Sequence, residues 1–271
     1  MQTTTREDVP EQCVDLDRHP IHRLDAPAAR DLVQRCSAEI ARTAMAQLPG
    51  FLRPDALERF ADEARQVAPL ARRRDMHHSA YGWTDNNGFA ADHPRGWPQH
   101  DCKGTVHYDL YPADALIRRL YEWEPLTRFI GIVLGEKRFF ICDDPVMSVV
   151  LSVMKPGDEQ GWHFDTNDYS VTLCLQAPDS GGEFVCAPHV RSDENENYEL
   201  VADVFRGKHK PAVCAEPEPG TLTMFRGRRS VHRVNTVGQG PDRLMAIFSY
   251  HREPGFRWPE AMIKMSKSGP P

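Results

Sequence analysis

Two imidazoles and one carboxylate stand in this chain at spacings that suit a single metal ion. His163 and Asp165 lie in the run GWHFDTND, His232 lies in RSVHRV, and Arg243 follows in PDRLMAIFSY. If 162–166 is a strand, alternation turns His163 and Asp165 to one face and Trp162, Phe164 and Thr166 to the other, so one short segment offers two ligands. A third ligand from a distant strand completes a two-histidine, one-carboxylate set. Such a set leaves adjacent metal positions open and is characteristic of non-haem Fe(II) oxygenases. A 2-oxo acid chelates iron through two open positions and dioxygen takes the third, while a guanidinium holds the far carboxylate as a bidentate pair. Arg243 is placed for that role. Singly, each residue has a plainer explanation. His163 is then a strand-end histidine, Asp165 a turn cap, His232 a surface histidine among Arg226, Arg228, Arg229 and Arg233, and Arg243 a solvated charge after a Gly-Pro turn. Their order, with strong turn signals between them, favours the joint reading.

The elements that must position these residues follow from periodicity. Leu32, Val33, Cys36, Ile40 and Ala44 recur at helical spacing, predicting a helix over 26–47 stopped by Pro49-Gly50, and a second helix runs from Pro54 to about Leu70. Residues 72–111 show no sustained period. They are rich in Gly, Asn, His and aromatic residues, which predicts a folded lid loop rather than disorder. Helices resume over 114–123 and 125–134. Strands are then expected at 138–142, 146–154, 162–166, 169–176, 183–186, 211–214, 222–225, 231–235 and 243–251, with one short helix within 195–207. The fold class is mainly β with flanking helices, a double-stranded β-helix of the jelly-roll or cupin-like kind. Domain organisation follows: a mobile arm over 1–25, one domain over 26–255 (helical support 26–135, jelly-roll core 136–255), and a surface tail over 256–271.

Composition narrows the partners. At 271 residues one large domain is expected. With 33 basic and 39 acidic residues the net charge is −6, which argues against nucleic acid and anionic membranes and for a small-molecule substrate. The seven cysteines are scattered and form no Cys-x-x-Cys pair, against a zinc knuckle or a disulfide framework. MQTTTREDVPEQCVDLD has no apolar stretch of leader length, and VMSVVLSVM is too short to span a bilayer, so a reducing cytoplasm is expected. Oligomeric state stays open.

Residues 146–254 resemble the Fe(II)- and 2-oxoglutarate-dependent dioxygenases, more narrowly the branch that holds the radical halogenases of free lysine and their hydroxylase relatives. The stretches that carry this are VMKPGDEQGWHFDTNDYSVTLCLQ, GGEF, PGTLTMFRGRRSVHRV and PDRLMAIFSY, joined upstream by LPGFLRP and DLYPADALIRRLYEWEPLTRFIGIVLG. The resemblance implies that His163, Asp165 and His232 hold Fe(II), that Arg243 anchors 2-oxoglutarate, and that dioxygen is the oxidant. In the halogenases of this branch glycine or alanine replaces the carboxylate ligand and opens a site for halide. Asp165 fills that position, so the resemblance implies hydroxylation. The implied substrate is a free polar amino acid such as lysine or a relative. Glu159 and Asp168 are candidates for its ammonium; Ser249 and His251, on the Arg243 face by alternation, are candidate lining residues. Radical halogenation of a free amino acid and hydroxylation of a carrier-bound amino acid are the rival activities. A cupin-type enzyme independent of 2-oxoglutarate, or a binding protein without catalysis, is the rival class.

Overall fold

The computed structural model describes residues 9–82 and 88–268. In chain order it contains α1 (Pro10–Cys13), α2 (Pro27–Thr43), β1 (Met45–Leu48), α3 (Pro54–Val67), β2 (Arg72–Ser79), β3 (Pro98–Val106), α4 (Leu116–Glu122) and α5 (Glu124–Leu134). There follow β4 (Phe140–Ile141), β5 (Val149–Met154), β6 (Glu159–His163), β7 (Ser170–Gln176), β8 (Phe184–Ala187), α6 (Tyr198–Phe205), β9 (Val213–Ala215), β10 (Leu222–Phe225), β11 (Val231–Val234), β12 (Arg243–Phe248), β13 (Tyr250–His251) and α7 (Glu260–Ser268). Proline opens α2 and α3, where its missing N–H costs nothing.

One sheet runs β1-β10-β7-β12-β5-β3-β6-β11-β8-β9 with β2 paired to β3, and every pairing is antiparallel. Its two faces differ sharply. On β12, Leu244, Ala246 and Phe248 join the main core with Phe60, Leu126, Phe129 and Ile130 of the helices. Arg243, Met245 and Ile247 face a cavity on the other side. The same split divides Leu173 from Thr172 on β7, Met224 from Thr223 on β10, and Leu48 from Gln47 on β1. Period-two alternation produces this directly: apolar residues meet the helices and polar ones line the interior. The sheet curls, because Met45 on β1 packs with Cys186 on β8 and Val213 on β9, at the far end of the strand order.

β3 ties the two halves of the curl together. Its first part pairs with β6 (Asp101↔Gln160, Cys102↔Glu159) and its second with β5 (Gly104↔Val153 to Val106↔Leu151).

Several expectations are corrected. The lid loop over 72–111 contains the β2/β3 pair, and Trp83, counted within it, lies outside the described residues. The inward positions of β3 are Gln99, Asp101 and Lys103, all buried, so hydrophobic periodicity could not reveal this strand. Of the arm over 1–25, residues 1–8 lie outside the described ones. Residues 9–25 carry α1 and bury Cys13, Val14 and Ile21 in the main core, so this part is no mobile arm. Residues 45–47 belong to β1, because Ala44 ends α2 in a left-handed conformation. The tail carries α7. All seven cysteines are free, and among the described residues no helix is long and apolar enough to cross a membrane.

Leu173 is fully buried on the helix-facing side of β7. Leu173→Ala is expected to lower unfolding stability by about 2–5 kcal/mol. Iron affinity of the folded protein should be unaltered, because the cavity lies on the opposite face; urea denaturation and metal titration of the same preparation test the pair.

Candidate active site

His163 and His232 stand directly opposite one another on β6 and β11, their rings 4.1 Å apart. Each ring is fixed by a backbone carbonyl two residues earlier: His163 Nδ1 to Gly161 O and His232 Nδ1 to Ser230 O, both at 2.9 Å. A carbonyl only accepts, so both Nδ1 atoms carry a proton, and Nε2 is the atom each ring offers to a metal. Asp165 does not share a strand with His163. β6 ends at His163, and Asp165 sits in the following loop, held by its backbone N–H on Gly227 O at 3.2 Å. The convergence survives that correction: Asp165 Oδ1 is 3.5 Å from His232 Nε2 and 3.9 Å from His163 Nε2.

These separations are within about 1 Å of those between adjacent ligands of an octahedral ion. With neutral imidazoles, one carboxylate and carbonyl-fixed tautomers, the donor set fits ferrous iron. Burial, reinforced by the facing His232, drives the His163 imidazole far below its ordinary range, so it is neutral as a ligand must be. Burial alone would raise the Asp165 carboxyl, but His232, His163 and the Ser170 hydroxyl hold it below the usual carboxylate range. Ser170 Oγ donates to Asp165 Oδ2 at 2.5 Å. Gly227 leaves the space this carboxylate fills, since a Cβ there would lie 1.8 Å from Asp165 Oδ2.

The triad separates two spaces. An inner cavity of about 310 Å³ is lined by the three ligands with Arg243, Lys103, Ser152 and Thr172, and by Phe184, Phe225 and Ile247. Arg243 is buried, donates Nε to Gly182 O at 3.0 Å, and has Met154 Sδ at 4.0 Å from one terminal nitrogen. Lys103, which the sequence reading missed, is buried with its Nζ 3.9 Å from Asp101 Oδ1. An outer cleft of about 320 Å³ carries Arg74, His78, Tyr81, Asp101, Arg191 and Arg228. Gln160, His163, Phe164, Asp165 and Thr166 form the wall common to both.

Four expected lining residues do not join the triad's two spaces. Glu159 binds His100 at 2.8 Å and Thr236 at 2.9 Å in a separate groove. The reason is an irregularity in β6: His163 pairs with His232 but Gln160 with Val234, so the extra residue brings Gln160 inward. Its amide lies 3.1 Å from His163 Nε2. Asp168 is ion-paired to Arg252 at 2.9 Å on the neighbouring surface. Ser249 donates to Met147 O at 2.6 Å and is a satisfied core hydroxyl. His251 stacks on Phe256 at 3.8 Å. The strand expected over 243–251 breaks after Phe248, so alternation from Arg243 does not extend to either residue.

Residues 103–261 match the family model described as halogenase D. The chain belongs to that family. The solved structures that share its fold include Fe(II)- and 2-oxoglutarate-dependent oxygenases. A 2OG-Fe(II) oxygenase from Burkholderia pseudomallei is 20% identical, covering 82% of this chain and 91% of that one with a TM-score of 0.52. The epimerase SnoN in complex with Fe3+, alpha ketoglutarate and nogalamycin RO is 13% identical, covering 87% and 90%, with a TM-score of 0.57. A Pseudomonas putida prolyl-4-hydroxylase is 15% identical, covering 82% and 100%, with a TM-score of 0.51. No curated protein sequence matches the chain at a significant level.

Two outcomes are expected of this geometry. Gly227→Ala must displace the Asp165 carboxylate, so iron affinity should fall about 10–100-fold, measured by metal titration. A Gly227→Ala protein that binds iron as the parent does would remove Asp165 from the ligand set. Burial pushes the Lys103 ammonium down to about 8, partly opposed by Asp101. A bound anion favours the charged form, so 2-oxoglutarate affinity should be highest below that pH and weaken as pH rises through it. Lys103→Met should weaken 2-oxoglutarate binding about tenfold or more and abolish this pH dependence; calorimetric titration across pH 6.5–9.5 decides it.

Proposed function

We propose that this oxygenase is a hydroxylase of a small polar substrate, a free amino acid, with His163, Asp165 and His232 holding Fe(II) and with Arg243 and Lys103 receiving 2-oxoglutarate. The observation that carries the reading is the carboxylate of Asp165 within 3.5 Å of His232 Nε2 and 3.9 Å of His163 Nε2, on the wall shared by the two spaces. Ferrous iron with 2-oxoglutarate and dioxygen supplies the oxidising power that hydroxylates an unactivated C–H bond and releases succinate and carbon dioxide.

The chain's own residues divide the work. Two buried cations in the inner cavity match a dicarboxylate, and Arg243 presents the planar fork that pairs bidentately with its distal carboxylate. Ser152 and Thr172 add hydroxyls to that wall, while Phe184, Phe225 and Ile247 exclude water. Gly161 O and Ser230 O keep both imidazoles in the ligand tautomer. Substrate enters the outer cleft, where Arg74, Arg191 and Arg228 offer guanidiniums to a carboxylate.

The family's name supports a second reading, halogenation. Asp165 opposes it: the resemblance implies that a halogenase lacks this carboxylate, whereas here Ser170 donates to it and Gly227 leaves room for it. A free amino acid such as lysine or a relative is the substrate class the sequence resemblance implies. Succinate release with Fe(II) and 2-oxoglutarate across the free amino acids, with product mass, tests both statements. The expected product gains one oxygen and no chlorine in chloride buffer. A chlorinated main product would overturn the role given to Asp165, and dependence on a tethered amino acid would overturn the free substrate.

A further inference from the structure

The charges lining the outer cleft are unequal. Apart from the ligand Asp165, its wall holds three guanidiniums, Arg74, Arg191 and Arg228, and one carboxylate, Asp101. Arg74 is ion-paired to Asp101 Oδ2 at 2.5 Å. Arg191 lies 3.8 Å above the Phe164 ring and meets Glu196 at 3.0 Å. Arg228 has a single ion-pair contact among the described residues, 3.6 Å from its Nε to Asp168, and half of its side chain is exposed. Among the described residues, Asp101 Oδ1 and the Tyr81 hydroxyl, both on side chains of this wall, are buried and have no hydrogen-bond partner. The carboxylates expected to meet the substrate's ammonium are committed elsewhere, Glu159 to His100 and Thr236 and Asp168 to Arg252.

Resting on the reading of this cleft as the place of a free amino acid, we infer that its substrate is an acidic amino acid. Asp101 accepts the one ammonium, and the Arg191 and Arg228 guanidiniums receive the two carboxylates. A basic amino acid would bring two ammoniums to a wall whose one carboxylate, Asp101, already faces Arg74, and would set the second ammonium against Arg191 and Arg228. Arg228, with one weak tether, is the residue most available to the distal acid group. It lies on the side that leads to Arg226 and Arg229, so the positive field extends outward from the triad.

The test uses the full chain loaded anaerobically with Fe(II) and 2-oxoglutarate. Calorimetric titration compares glutamate, 2-aminoadipate, lysine and ornithine, and succinate release in air is then measured with the same four. Glutamate or 2-aminoadipate is expected to bind about tenfold or more tightly than lysine and to stimulate succinate release. Arg228→Glu, at an iron content matching the parent's, should reverse that preference by raising the dissociation constant for the acidic amino acids at least about tenfold and lowering that for lysine. Arg191→Gln should weaken acidic amino acids without improving lysine. Tighter binding of lysine or ornithine by the parent, or an unchanged preference in Arg228→Glu, overturns the inference while leaving the free-amino-acid reading standing. Failure of all four to bind overturns both.

Discussion

The inner face of one curled sheet must hold charges that water would otherwise hold, and this constraint organises the molecule. Lys103, Asp101 and Arg243 are all buried. Isolated, each would be expensive to bring out of water, and burial of this kind is tolerated where opposite charges meet. The protein satisfies only part of the demand itself: Arg74 faces Asp101 directly, whereas Lys103 stands 3.9 Å from it and Arg243 relies on a carbonyl and a thioether. A divalent ion among two imidazoles and a carboxylate, with a dicarboxylate beside two cations, would complement such an interior. Apolar residues on the other face, packed on α2 to α5, supply the stability that lets this polar interior exist.

Much of the site was legible because ligand chemistry uses few residue types. His163, Asp165, His232 and Arg243 could be chosen on order and turn signals, and the structure brings all four around one cavity. The core strands were legible because their helix-facing residues alternate with period two, as Leu222 and Met224 do on β10. What escaped did so for identifiable reasons. β3 buries a glutamine, an aspartate and a lysine, so its inward pattern is polar and reads as loop. β1 follows α2 after a single left-handed residue, and nothing in ARTAMAQL separates the last helical turn from the strand. Glu159 was misplaced by a one-residue irregularity, and Ser249 and His251 by a strand break. Both lie below the resolution of period-two reasoning, since a single slip exchanges the faces.

Family and residue point in different directions here. The family is described as halogenase D, yet the proposed metal site carries the carboxylate of Asp165, and its surroundings fit that carboxylate. Ser170 donates to it, and Gly227 gives up a side chain to make room. A family label describes a scaffold; the reaction depends on what occupies a few ångströms beside the metal.

β3 joins the two halves of the sheet, with Asp101 turned toward the outer cleft and Lys103 toward the inner cavity, two residues apart on one face. An anion arriving at Lys103 competes for the attraction this lysine exerts on Asp101, and so leaves Asp101 a stronger acceptor on its other side. Thermodynamic reciprocity then requires the converse: a cationic group docked at Asp101 must tighten the inner ligand by the same factor. Two residues of one strand would thus favour joint occupancy of the two spaces over either ligand alone.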